Sequence, residues 1–216
     1  MLQQEVSEVG SYFSIIKAIA AGNHKLSTIA AVLEVKSTNL TKYLKTLMDL
    51  DILERRVPVT EENPEKSKRG LYKIKDNYLR FWFAFIYPNM SFIESGHSGI
   101  VMDKIRKGLT TSHIGFVYED ICQERMWELN VNNAWPFQFS KLGGYWDAKN
   151  EIDIAALDPE GKNLILGECK YWKEPVGLNV LHALEAKACD VAWERDRRKV
   201  WYVLFSISGF SDELRN

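Results

Sequence analysis

The chain has 216 residues, 46% of them hydrophobic, enough for a packed core in one large domain or two small ones. A net charge of −1 excludes a protein coated in basic surface, and no apolar run approaches the roughly 18 to 20 residues that cross a bilayer. Met1 to Gly10 lacks the basic-then-apolar order of a secretory leader, so the expectation is a cytoplasmic protein with no membrane partner.

Charge is unevenly divided. Residues 1–110 hold 16 Lys and Arg against 12 Asp and Glu, whereas residues 111–216 hold 12 against 17. The first half is therefore the better candidate for touching phosphates, and the second for gathering carboxylates. Cys122, Cys169 and Cys189 are odd in number and lack metal-ligand spacing, which reads as free thiols.

From Tyr12, the residues Phe13, Ile16, Ile19 and Ala20 repeat with helical period, and Gly22-Asn23 ends the helix. A second helix starts near Leu26, with Ser27 as its expected cap and Ile29, Ala30 and Leu33 as its inner stripe. Ser37 is the expected cap of a third, whose Leu40, Tyr43, Leu44, Leu47 and Met48 face inward. Ile52–Val57 and Gly70–Lys75 read as strands flanking the polar loop Thr60–Arg69. Three helices and a hairpin is the order of a winged helix-turn-helix, expected over residues 1–76. Its third helix would present Thr38, Asn39, Thr41, Lys42 and Lys45 to a DNA groove, with Lys68 and Arg69 on the wing. The same kind of module also serves protein interfaces, so DNA and a protein partner both stay open at this point.

Phe81, Trp82, Phe83, Phe85, Ile86, Tyr87 and Phe92 are too dense for a surface helix. They predict a helical, aromatic-rich connector over residues 77–110 that forms the seam between domains. Residues 111–216 read as an α/β domain: a helix from Gly115 to Leu129, a short strand-like piece Phe137–Phe139, and the strand Glu151–Leu157. A turn at Asp158-Pro159-Glu160-Gly161 leads to the strand Asn163–Tyr171, then a helix Leu178–Glu194, a basic turn Arg195–Lys199 and a strand Val200–Phe205.

In the second strand of that hairpin Glu168 and Lys170 are two apart and share a face, and Asp153 is roughly cross-strand from them. Two carboxylates supply hard oxygen ligands for Mg²⁺, which keeps waters and substrate phosphate as its other ligands. A neighbouring lysine orients or deprotonates a bound water and steadies charge on the scissile phosphate. Glu119, on the preceding helix, is a further candidate for a metal or water contact. Carboxylates planted in strands as apolar as these, with Ile152, Ile154, Leu164, Ile165 and Leu166 around them, are weighed against a plain surface salt bridge, and the metal site is the preferred reading. Cys169 points to the opposite face and reads as core. The four histidines have no partner pattern.

Asp153 with Glu168-Cys169-Lys170 resembles the bipartite motif of the PD-(D/E)xK, or restriction-endonuclease-like, superfamily, whose motif helix often holds a glutamate where Glu119 stands. Lys187 falls where such proteins often carry a polar residue that contacts DNA or the site. Asp153 follows Ile152 where the motif usually has proline. Tyr72 to Phe83 and Gly167 to Lys170 also look like the C-terminal region of archaeal-type AAA ATPases, in which a winged helix precedes a nuclease-like domain of unknown function. The resemblance runs from about Tyr12 to Phe210. It implies an α/β domain with a mixed central sheet, Mg²⁺ as cofactor, and an AAA-type ATPase domain or partner. The P-loop GxxxxGK[ST] is not present in this sequence, so ATP hydrolysis is not carried over. The first expectation is a Mg²⁺-dependent phosphodiesterase acting on DNA. The alternatives are a noncatalytic DNA- or partner-binding module of an ATPase, and a winged-helix regulator or oligomerisation module.

Overall fold

A computed structural model describes residues 2–215. The chain divides into two compact units: residues up to Arg56 with Ser67–His113, and Val57–Lys66 with the residues from Ile114 onward.

The first unit opens with α1 (Leu2–Ala20), α2 (Leu26–Val32) and α3 (Ser37–Asp49). Gly22, at φ +93°, and Asn23 turn the chain back on α1, their backbone N–H groups donating to Ile19 and Ala18. The expected hydroxyl caps are displaced: Lys25 and Lys36 are the cap residues, and neither makes a side-chain cap bond. Ser27 and Ser37 instead lie inside the helices, where Thr28 bonds the Lys25 carbonyl at 2.8 Å. Two short antiparallel strands follow, β1 (Leu53–Arg56) and β2 (Leu71–Ile74), in the register Leu53↔Ile74 to Arg56↔Leu71. An isolated bridge from Lys25 to Leu71 ties them to the turn before α2.

The aromatic stretch belongs to this unit. Asp76 caps α4 (Asn77–Phe81) through Leu79 N–H, and a wider helical turn, Trp82–Ile86, continues it. Phe83 joins the core of Ile15, Ile19, Ile29, Leu40, Leu44 and Leu53, and its ring lies 5.8 Å from that of Phe13. Tyr87 also packs on Phe13 of α1, while Phe81 packs with Phe85 and His113. After α5 (Met90–Glu94) comes α6 (Ser98–Leu109), whose Lys104 bonds the buried Asn89 at 2.6 Å.

The second unit begins its main body with α7 (Gly115–Val131), followed by β3 (Lys141–Trp146), β4 (Glu151–Leu157), β5 (Asn163–Lys170), α8 (Leu178–Asp190), β6 (Lys199–Ser206) and α9 (Asp212–Arg215). The four strands form one mixed sheet in the order β3-β4-β5-β6, antiparallel except for the parallel pair β5-β6. Alternation sorts the strand residues. Ala155, Leu157, Leu164 and Leu166 pack with Leu184, Ala188 and Val191 of the α8 layer, and Ile154, Ala156 and Ile165 pack with Cys122 and Met126 of α7. The segment Val57–Lys66, expected in the wing, joins this unit: Val59 packs on the α8-side core and donates to Gly144 O at 3.0 Å.

Two departures from expectation have identifiable causes. Phe137–Phe139 is not a strand, because buried Asn130 engages both the N–H and the C=O of Phe139 at 3.0 Å, in place of a ladder partner. The strand is the next segment, β3, whose Gly143-Gly144 hides its alternation and carries a bulge against β4. The basic turn is structural in part: Arg198 donates to the carbonyls of Ala188, Val191 and Trp193 and so closes α8. No helix among the described residues is long and apolar enough to cross a membrane.

Candidate functional site

The hairpin β4-β5 sets the site. Its turn is closed by Asp158, which accepts from Lys162 N–H and the Asn163 amide, and by Gly161 at φ +72°. The register runs Leu157↔Leu164 to Ile154↔Gly167, so the next pair outward is Asp153 opposite Glu168. Gly167 is required there because a Cβ would stand 2.5 Å from Val203 Cγ1 and 2.9 Å from Val203 O of β6.

Glu168 is only 4% exposed, and both of its oxygens end on ammonium groups. Lys170, on the same face of β5, holds Oε2, and Lys187 of α8 holds Oε1 at 2.6 Å while also donating to the Glu151 carbonyl at 2.7 Å. Asp153 Oδ2 accepts the backbone N–H of Cys169 at 2.8 Å and lies 3.7 Å from Lys170 Nζ. Burial, with the charge of Glu168 behind it, pushes the Asp153 carboxyl above its ordinary range in spite of those donors. For Lys170, burial acts to lower the pKa, but the hydrogen bond to Glu168 and the charges of Asp153 and Glu168 outweigh it, and the net direction is up.

The structure thus joins Asp153, Glu168 and Lys170. Lys187, which the sequence offered only as a residue contacting DNA or the site, closes the network. Gln123 of α7 was missed; its amide donates to the Asp153 carbonyl at 3.2 Å. Its signal was present as the i, i+4 spacing from Glu119, which places the two on one helix face. Glu119 is half-buried on α7, and its charge reaches the Cys122 thiol together with that of Asp153. Cys169 packs with Cys122 of α7, on the face away from Glu168 and Lys170, and the three cysteines are free.

Among the described residues, no group of three or more His, Cys, Asp or Glu side chains is placed to hold a metal ion, so Glu119 does not complete a cage with Asp153 and Glu168. Asp153 and Glu168 would be the two carboxylates available to an ion here. Two carboxylates are what Mg²⁺ takes from protein when water and phosphate oxygens fill its other positions.

In the first unit, α3 buries Leu40, Leu44 and Leu47 and exposes Thr38, Asn39, Thr41, Lys42 and Lys45. Lys68 and Arg69 are exposed on the approach to β2. Neighbouring Arg55 is held inward, donating to Ser67 O at 2.5 Å.

Over 174 residues the chain is 40% identical to an uncharacterized protein of Methanocaldococcus jannaschii. The alignment covers 81% of this chain and 38% of that protein, so the chain spans well under half of its relative's length. No solved structure matches the chain. Residues 82–188 match the model of a family described as archaea bacterial proteins of unknown function, and this segment contains Glu119, Asp153, Glu168, Lys170 and Lys187.

Proposed function

We propose that this protein acts on DNA, with a Mg²⁺-dependent phosphodiesterase site of PD-(D/E)xK type in the second unit and a DNA-docking winged helix in the first. The observation that carries this reading is the pair Asp153 and Glu168, two carboxylates set side by side in otherwise apolar strands with Lys170 between them. Ionised carboxylates this buried are costly, and a cation-binding role accounts for their placement. Asp153 and Glu168 are the residues that would hold the ion. When bound, it would lower the pKa of a coordinated water and offset charge on the phosphate. Lys170 keeps its proton at neutral pH, since its pKa lies above the usual lysine value. Its role is therefore to donate to a phosphate oxygen and stabilise developing charge, and not to act as a base. The Cys169 N–H fixes Asp153 in place.

The hairpin and α3 support the docking half of the proposal: an exposed polar helix face with two lysines, followed by Lys68 and Arg69, suits phosphate contacts along a groove. An AAA-type ATPase domain or partner is proposed to work with this module. The alignment leaves most of the M. jannaschii relative outside it, which gives room for such a domain there.

One observation favours the noncatalytic alternative, in which the second unit is a scaffold. Both Glu168 oxygens are already paired with lysines, so the network is charge-balanced without an ion. Calorimetric titration with Mg²⁺ and Mn²⁺, with cleavage assays on linear and branched DNA, separates the two. The phosphodiesterase reading expects binding at millimolar ion or below and metal-dependent cuts lost in Asp153→Asn. A protein that binds neither ion and cuts no DNA is the scaffold.

A further inference from the structure

We propose that the Lys187 ammonium occupies an oxygen of Glu168 that a divalent ion needs, and that the ion binds by displacing it, so that Lys187 sets the metal affinity of the site. The inference rests on the metal-site reading above and deepens it.

The ammonium is held as a small cation would be. Nζ lies 2.6 Å from Glu168 Oε1 and 2.7 Å from the Glu151 carbonyl, two hard oxygens supplied by different strands. Asp153 also feels its charge. Glu168, Asp153, Lys170 and Lys187 together carry two negative and two positive charges, so a dication added to the intact network enters a site with no net attraction for it.

One ammonium has to leave, and the two lysines differ. Lys170 is on β5, two residues from Glu168, with its side chain 19% exposed and its head near both carboxylates. Lys187 reaches across from α8 with its side chain 30% exposed, and its contacts are to one carboxylate and one carbonyl. A flexible stem and a strongly hydrated head let it swing to water at small cost. Its departure opens Glu168 Oε1 and the Glu151 carbonyl together. Lys170 remains to face the phosphate.

The test is calorimetric titration of the full chain with Mn²⁺, comparing the unmutated protein with K187M, K187Q and K187R. Removing the charge in K187M and K187Q should tighten Mn²⁺ binding by about tenfold or more, the scale on which one nearby like charge shifts an ionic equilibrium. K187R keeps the charge and should bind no tighter than the unmutated protein. In thermal melts, the gain in Tm on adding Mn²⁺ should be larger for K187M and K187Q, because without the ion each leaves a buried carboxylate oxygen short of a charged partner. K187Q retains a donor and serves if K187M folds poorly. Mn²⁺ binding that is present but equal in all four proteins, or tightened equally in K187R, overturns the role of Lys187 and leaves the metal site standing. No Mn²⁺ binding in any of them overturns both.

Discussion

Asp153 accepts the Cys169 backbone N–H at 2.8 Å, yet its carboxyl titrates above the ordinary range, because burial and the neighbouring Glu168 charge outweigh that bond. The ionised form is thus a burden on the folded state. A folded pKa above the unfolded value gives stability that is complete below the unfolded pKa and lost as pH rises through the folded one. Asp153→Asn, which keeps an oxygen to accept from Cys169, should therefore raise the Tm of the chelator-treated protein at pH 7. The gain should shrink toward zero as pH falls below about 4. The same variant should lose divalent-ion binding. Melts from pH 3.5 to 8 decide it: a Tm lowered at pH 7 would show that the carboxylate stabilises the fold and is not strained for function.

Lys170 titrates in the opposite sense. Its pKa is raised through Glu168 and Asp153 against the opposing effect of burial, so its contribution to stability is complete below about 10.5 and fades only as pH climbs through the higher folded value. Lys170→Ala should spare much of the metal affinity while lowering the rate of DNA cleavage by roughly 10² to 10³, the usual scale for losing one preorganised donor to developing charge. If the unmutated protein cleaves DNA, no loss of rate between pH 7 and 9 should trace to Lys170. A rate that rises with pH through that range, the rise disappearing in Lys170→Ala, would make Lys170 a base and refute its role as a retained cation.

Gly167 is the close-packed point beneath this site. A methyl group there would press on Val203 Cγ1 and on the Val203 carbonyl, and the carbonyl belongs to the β5-β6 ladder and cannot rotate away. Gly167→Ala should cost about 1 to 3 kcal/mol, as overpacking commonly does. Pairing it with Val203→Ala should recover part of the loss by removing Cγ1, leaving the carbonyl's share. Urea unfolding of both variants gives the answer, and a Gly167→Ala protein as stable as the parent would contradict the register of β5 against β6.

Much of this arrangement could be read from the residues alone, for a simple reason. Strand period put Glu168 and Lys170 on one face, and the turn Asp158–Gly161 defined which residues of β4 and β5 oppose, so Asp153 followed by counting. What escaped was whatever depends on contacts distant in sequence. Lys187 reaches Glu168 from 19 residues away, so only the resemblance pointed to it and not to its partner, and Gln123 meets Asp153 from 30 residues before it, with its spacing from Glu119 as the one local sign. The strand β3 was hidden because Gly143 and Gly144 carry no side chains to alternate. Phe137–Phe139 looked like a strand because nothing local betrays that Asn130 takes its hydrogen bonds.

The docking half of the proposal is tested on α3. Leu40, Leu44 and Leu47 anchor it in the first unit's core, which leaves Lys42 and Lys45 exposed on the face with Thr38, Asn39 and Thr41. If that face enters a groove, each lysine that meets a phosphate releases counterion on binding, and the slope of log affinity against log salt falls by about 0.9 for each contact removed. Lys42→Ala and Lys45→Ala together should then flatten the slope by up to about 2 and weaken duplex binding at low salt most. Alanine keeps helix propensity and neither lysine is buried, so the Tm should hold, which separates lost contact from lost fold. The loss should be similar across unrelated sequences, since phosphate contacts carry no base information. Changing Asn39 instead, a residue able to read a base edge, should alter preference among sequences more than it alters the salt slope. Fluorescence anisotropy on several duplexes between 50 and 200 mM salt measures all three quantities. An affinity and slope unchanged in the double variant would assign the exposed face of α3 to a protein partner.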